Sequence, residues 1–231
     1  MSKRIFVSAV SIGLVSGLSG CLSNSSGILA GAGIGGSQGY EAAFDAATAR
    51  VPTSDMPTSL NANYTGQLKV GVNSGTANLQ GTTVAPQSAE IIGDVNIDVA
   101  WTDGQAANPF SGGASNIVAT EAGTSNSVAI NGQLTVDPAM PASINRTHTP
   151  SQVIAGNTIP DINTGAFLFH MTGRLENGGQ EGDANLQFGG NFFGPGGNAM
   201  VGTVNGGIND VNNPSPQIFD VGIGGTFYAT Q

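Results

Sequence analysis

The stretch FGGNFFGPGGNAMVGTVNGGIND, residues 188–210, decides how the chain is read. Its glycines, together with Pro195, exclude a helix, because glycine costs about 1 kcal/mol per helical position and proline about 3. Phe188, Phe192, Phe193, Met200, Val201 and Val204 nevertheless call for a core. Two strands folded back at Gly194-Pro195-Gly196-Gly197 meet both demands. The phenylalanines then fill a narrow interior, and the glycines permit the turn and the bends a small barrel needs in order to close.

Outward from this hairpin the same period of two recurs. LNANYTGQLKVGV puts Tyr64, Leu68, Val70 and Val72 on one parity, and AEIIGDVNIDVAW does the same with Ile91, Val95, Ile97, Val99 and Trp101. SVAINGQLTV (Val128, Ile130, Leu134, Val136), GAFLFHMTGRLE, DANLQFGGNFFG, AMVGTVNGGI and QIFDVGIGGTFYA repeat the signal, with weaker strands at 76–84 and 116–121. RLENGGQEGDANL reads as a second hairpin, and turn-rich breaks fall at 103–113, 177–182, 194–198 and 209–216. Glycines 132, 173, 202 and 224 lie inside strands and are expected at bends or bulges. The expected fold is all-β: an antiparallel, eight-stranded, up-and-down-like barrel over residues 60–231. YEAAFDAATARV, Tyr40 to Val51, is the one helical stretch, with Tyr40, Phe44 and Ala47 on one face and Pro52 stopping it. Residues 40–59 are thus a short helix and linker.

The chain starts with Lys3 and Arg4, an apolar run from Ile5 to Leu18, and small residues up to Cys21. That is a secretion signal over 1–20, too short an apolar run for a transmembrane helix, which needs about 20 residues. Leu18-Ser19-Gly20-Cys21 resembles the bacterial lipobox, which implies lipidation of Cys21 and, with Leu22 next, sorting to the outer membrane. Cys21 is the only cysteine, so no disulfide forms within the chain. Residues 21–39, rich in Ser and Gly, form a flexible tether. Within it Gly31, Gly33 and Gly36 fit G-x-G-x-x-G, but no strand of a βαβ unit precedes them.

Without Lys3 and Arg4, four basic residues face fifteen acidic ones, a net charge of −11. Such a polyanion is unsuited to nucleic acid and cannot adhere electrostatically to an anionic membrane, so the lipid must do the anchoring. Ten Phe, three Tyr and one Trp are few for the aromatic girdles of a membrane-spanning barrel. A soluble, lipid-tethered barrel fits better.

Gly190-Asn191-Phe192-Phe193-Gly194-Pro195, then Ala199, then Gly202-Thr203-Val204, resembles the hairpin that closes the C-terminal barrel of the transferrin-binding protein B family. VGIGGTFYATQ resembles that family's last strand, and NANYTGQLKV its first barrel strand. The resemblance covers residues 60–231. It differs at Met200 and Val201, where the family has an acidic residue, and in one missing glycine beside Gly202. Only one barrel fits, without the second lobe or the handle domain that contacts transferrin. The resemblance implies a surface lipoprotein exported by a dedicated outer-membrane translocon, binding a host or environmental protein or haem in iron acquisition.

Catalytic material is thin. His148 and His170 are the only histidines, and no H-E-x-x-H occurs. A haem ligand would be His148, His170 or Met171, with His148, in a long rim loop, the best placed. Asp94, Asn96 and Asp98 mimic a calcium loop, but Val99 and Gln105 stand where an EF-hand needs Gly and Glu, so no metal is expected. GGQEGD, 178–183, is a single echo of a calcium repeat, and one copy builds nothing. The expected binding surface is a pair of long loops, 103–114 and 137–160, with Trp101, Phe110, Met140 and Arg146 as anchors. The function expected is non-enzymatic capture; the alternative is an envelope-maintenance lipoprotein without an exchangeable ligand.

Overall fold

The computed structural model describes residues 37–73, 89–121, 125–155, 157–212 and 221–231. The expected signal sequence, Cys21, nearly all of the expected tether and the weak strand expected at 76–84 lie outside the described residues. The elements are α1 (Ser37–Thr48), β1 (Ser59–Asn73), β2 (Ala89–Thr102), β3 (Phe110–Glu121), β4 (Ser127–Ala129), β5 (Asn131–Gly132), β6 (Leu134–Val136), β7 (Ser143–Thr149), β8 (Gln152–Ile154), β9 (Asn157–Ile159), β10 (Ile162–Asn177), β11 (Gln180–Phe193), β12 (Ala199–Asp210) and β13 (Val221–Thr230).

The strands close an antiparallel barrel of eight positions: β1, β2, β3, the broken run β4–β7, β10, β11, β12, β13 and back to β1. The expected fold class is therefore the observed one. In the fourth position only β6 touches both neighbours, through Ala114↔Leu134 on β3 and Met171↔Val136 on β10. β4 pairs with β3, whereas β5 and β7 pair with β10.

Closure works because alternate residues point inward and are apolar. Leu60, Tyr64, Leu68 and Val70 of β1 and Val95, Ile97, Val99 and Trp101 of β2 are buried, as expected. The centre is a cluster of rings: Phe169 stacks on Phe188 at 5.0 Å, Phe227 meets Phe188 edge-on at 5.1 Å, and Phe167 meets Phe192 edge-on at 5.3 Å. Such pairs add about 0.5–1.5 kcal/mol each beyond their buried area.

Two glycines show what closure requires. A Cβ on Gly173 would lie 2.1 Å from the Gln133 carbonyl oxygen, and one on Gly202 2.2 Å from that of Gly189, so only glycine lets these backbones approach. Gly224, expected to play the same part, has only the Asn205 carboxamide within 4 Å, at 3.9 Å.

The ends of the barrel differ. At the upper rim, where β1, β3, β10 and β12 begin, residues 52–58 cross the opening. Thr53 N–H donates to the Phe192 carbonyl (3.0 Å), Met56 N–H to Asn163 O (2.9 Å) and Asn163 N–H to Ser54 O (2.7 Å). This segment wedges between the start of β10 and the end of β11, and Met56, 1% exposed, seals the interior. α1 lies along the outer wall over β12, β13 and β1, with the Tyr40 hydroxyl 2.8 Å from Thr226 Oγ1 and Arg50 donating to Asn198 Oδ1 at 2.8 Å near the rim. Its N-terminal end therefore points towards the lower rim.

Three expectations are corrected. β3 begins at Phe110, well before 116, because Gly112 and Gly113 belong to the strand; a bulge at Asn116 (φ 51°) puts Ala114 and Ile117, three apart, both inward and breaks the alternation. SVAINGQLTV is three short pieces instead of one strand. The supposed loop 137–160 contains β7 and the β8–β9 hairpin.

Candidate functional site

The expected anchor residues divide sharply. Trp101 and Phe110, 3% and 6% exposed, are core side chains; Phe110 packs 4.7 Å from Phe169. They are corrected from surface anchors to interior fill, because both sit on inward positions of β2 and β3. Arg146 projects from β7 to the upper rim and is held on three sides. Its Nε donates to the Met56 carbonyl (2.9 Å), its Nη2 to Asn163 Oδ1 (2.5 Å), and its Nη1 lies 3.5 Å from Asp103 Oδ2. It locks the crossing segment to β10 instead of offering a free cation.

His148, on the exposed side of β7, has Nδ1 2.9 Å from Asn163 Oδ1, an acceptor, so Nδ1 carries the proton. His170 lies on the outer face of β10 under residues 137–142. Its Nδ1 donates to the Pro141 carbonyl (3.0 Å), leaving Nε2 to accept from the Gln187 amide (3.2 Å). Met171 is inside, at 0% exposure. These three side chains face different surroundings and do not converge, and none of the grooves described below includes one.

Tyr64 is the polar group the sequence did not single out. Its hydroxyl donates to the Gly197 carbonyl (2.6 Å) and accepts from Gln231 Nε2 (2.9 Å), joining β1 to the β11–β12 turn and the last residue. Burial pushes the phenol up to about 12, against the hydrogen bond from Gln231. Tyr40, on the face of α1 that packs against β13, is likewise pushed well above its ordinary range by burial.

The outer wall is polar. Asn63 donates to Asn96 Oδ1 (2.6 Å) and Asp98 Oδ1 (2.8 Å), while Gln67 and Asn116 donate to the two oxygens of Asp94 (3.0 and 2.9 Å). Asp94, Asn96 and Asp98 thus form one solvent-facing row already engaged by carboxamides. Among the described residues no group of three or more His, Cys, Asp or Glu is arranged to hold a metal. At the lower rim Arg174 pairs with Asp183 at 2.9 Å. A wall with charges on several strands is the opposite of the apolar band that faces lipid in a membrane barrel.

Two open grooves mark this wall. One, about 390 Å³, runs between β2, β3 and β6 and is lined by Asn96, Asp98, Ser115, Gln133 and Thr135. The other, about 360 Å³, lies where residues 138–143 pass over Leu168, with Pro138, Met140 and Pro141 along it. Comparison with known protein families, curated proteins and solved structures gives no match.

Proposed function

We propose that this protein is an outer-membrane lipoprotein, anchored through Cys21, that uses the outside of a filled barrel as a non-enzymatic binding surface for a host or environmental protein. The observation that carries the reading is the pairing of a ring-packed interior with a polar, charged outer wall. With the centre occupied by Phe167, Phe169, Phe188, Phe192 and Phe227, cargo has no place inside, and the wall and upper rim are what remains to bind with. The leader with Lys3, Arg4 and the Leu18–Cys21 lipobox-like ending supports export and lipidation. The resemblance of 190–204 to the transferrin-binding protein B hairpin supports a surface role in iron acquisition and export by that family's translocon.

Haem is not part of the proposal. A haem site needs a slot that buries most of the ligand; neither groove described above includes His148, whose Nδ1 is engaged by Asn163. The test is retention of a defined protein from host fluids by the immobilised chain, together with growth of a deletion strain on an iron-loaded carrier protein. A retained partner and slowed growth are expected. Neither partner nor growth defect would contradict the capture reading and leave the envelope-maintenance role.

A further inference from the structure

We propose that the wall built by residues 138–160 is a self-association surface, on which β8–β9 of one copy packs against β8–β9 of a second copy about a two-fold axis. The inference does not depend on the ligand reading.

Among the described residues four large apolar side chains are exposed, and three of them, Val153 (71%), Ile154 (55%) and Ile159 (41%), stand on this one hairpin. β8 and β9 form a two-stranded sheet of their own, so among the described residues each keeps one edge with no strand on it. Unpaired edges flanked by aliphatic side chains are templates for another strand. A two-fold contact satisfies the requirement symmetrically, edge to identical edge.

Charge selects the occupant. The chain carries a net −9, yet from Pro138 to Pro160 it has a single Lys, Arg, Asp or Glu, which is Arg146, already paired with Asp103. Of the two carboxylates that border this stretch, Asp137 accepts from Ala139 N–H (2.9 Å) and Asp161 from Ser151 N–H (2.5 Å); other charges lie on the β1–β2 wall (Lys69, Glu90, Asp94, Asp98), at the lower rim (Arg174, Glu181, Asp183) and on α1 (Glu41, Asp45). Two molecules of such an anion repel each other in most orientations. Meeting through the 138–160 wall keeps their acidic faces apart, which a cationic partner would have no reason to favour. Pro150 and Pro160 bracket the hairpin and stop the ladder from growing beyond it, so the contact closes at two copies. The hairpin is small beside the roughly 800 Å² per partner of a stable interface, so the dimer is weak in solution and gains from concentration on a membrane.

Sedimentation velocity of the full chain in non-ionic detergent micelles, across the micromolar range, tests this. A reversible monomer–dimer equilibrium is expected, strengthened by added salt because screening relieves like-charge repulsion. Val153→Asp with Ile154→Asp should raise the dimer dissociation constant at least about tenfold, while Val51→Asp, equally exposed but outside this wall, should leave it unchanged. Both sites are surface positions, so folding is retained. A monomer at every concentration, or a dimer indifferent to the double variant, overturns the proposal. So does a monomer whose binding to phosphatidylcholine vesicles, tested with Cys21→Ser in place to remove the anchor, is lost in the double variant, which would make the hairpin a lipid contact.

Discussion

Arg146 is enclosed by the groups it serves: the Met56 carbonyl, Asn163 and Asp103 all take hydrogen bonds or charge from its guanidinium. Arg146→Ala should lower unfolding free energy by about 2 kcal/mol, the range for a partly buried charged donor, measured by urea unfolding. Arg146→Lys should not restore it, because an ammonium cannot serve three directions from a planar fork; an unchanged midpoint for Arg146→Ala would refute the clasp. Tyr64 gives a pH signature. Its folded value, about 12, is above its ordinary 10, so the unfolded chain loses the proton first. The stability contributed is complete below pH 10 and is lost as pH rises through 12. Thermal melts should fall over that window, and less so in Tyr64→Phe. The sequence showed Arg146 as a lone cation near aromatics and left Tyr64 as one more strand tyrosine. Their partners at 56, 103, 163, 197 and 231 are remote in sequence, so only closure of the barrel brings them together.

At the level of elements, glycine placement decides which strands bend. Gly173→Ala and Gly202→Ala put a methyl group into a neighbouring carbonyl and should cost about 1–3 kcal/mol or more. Gly224→Ala meets open space and should shift stability by less than about 0.5 kcal/mol. Equal effects in all three by denaturant unfolding would contradict the close-approach account. β1, β2, β10, β11, β12 and β13 were legible because apolar side chains recur at every second position, facing inward, along most of each, and the β10–β11 hairpin turns at Gly178-Gly179. β3 was half hidden because the bulge at Asn116 resets its parity. The β4–β7 run was obscured because it changes partner from β3 to β10 part-way, and residues 143–149 carry one buried apolar side chain, Ile144, among polar ones. A strand held by one neighbour's hydrogen bonds leaves little trace in hydrophobic pattern.

At the level of the whole molecule, the described residues fill the centre and leave a polar wall, and the proposed contacts with other molecules fall on that wall. Among the described residues this wall carries Lys69 and Arg174, and each basic side chain facing lipid at mid-depth would cost about 2–4 kcal/mol. In the proposed lipoprotein, membrane association rests on Cys21. Because α1 descends from the upper rim, its N-terminal end lies towards the lower rim, on the side away from β8–β9. Separation of membrane and soluble fractions for the wild type and Cys21→Ala tests this arrangement most directly. The account predicts the wild type in the membrane fraction and Cys21→Ala released; Cys21→Ala still bound to the membrane would contradict it.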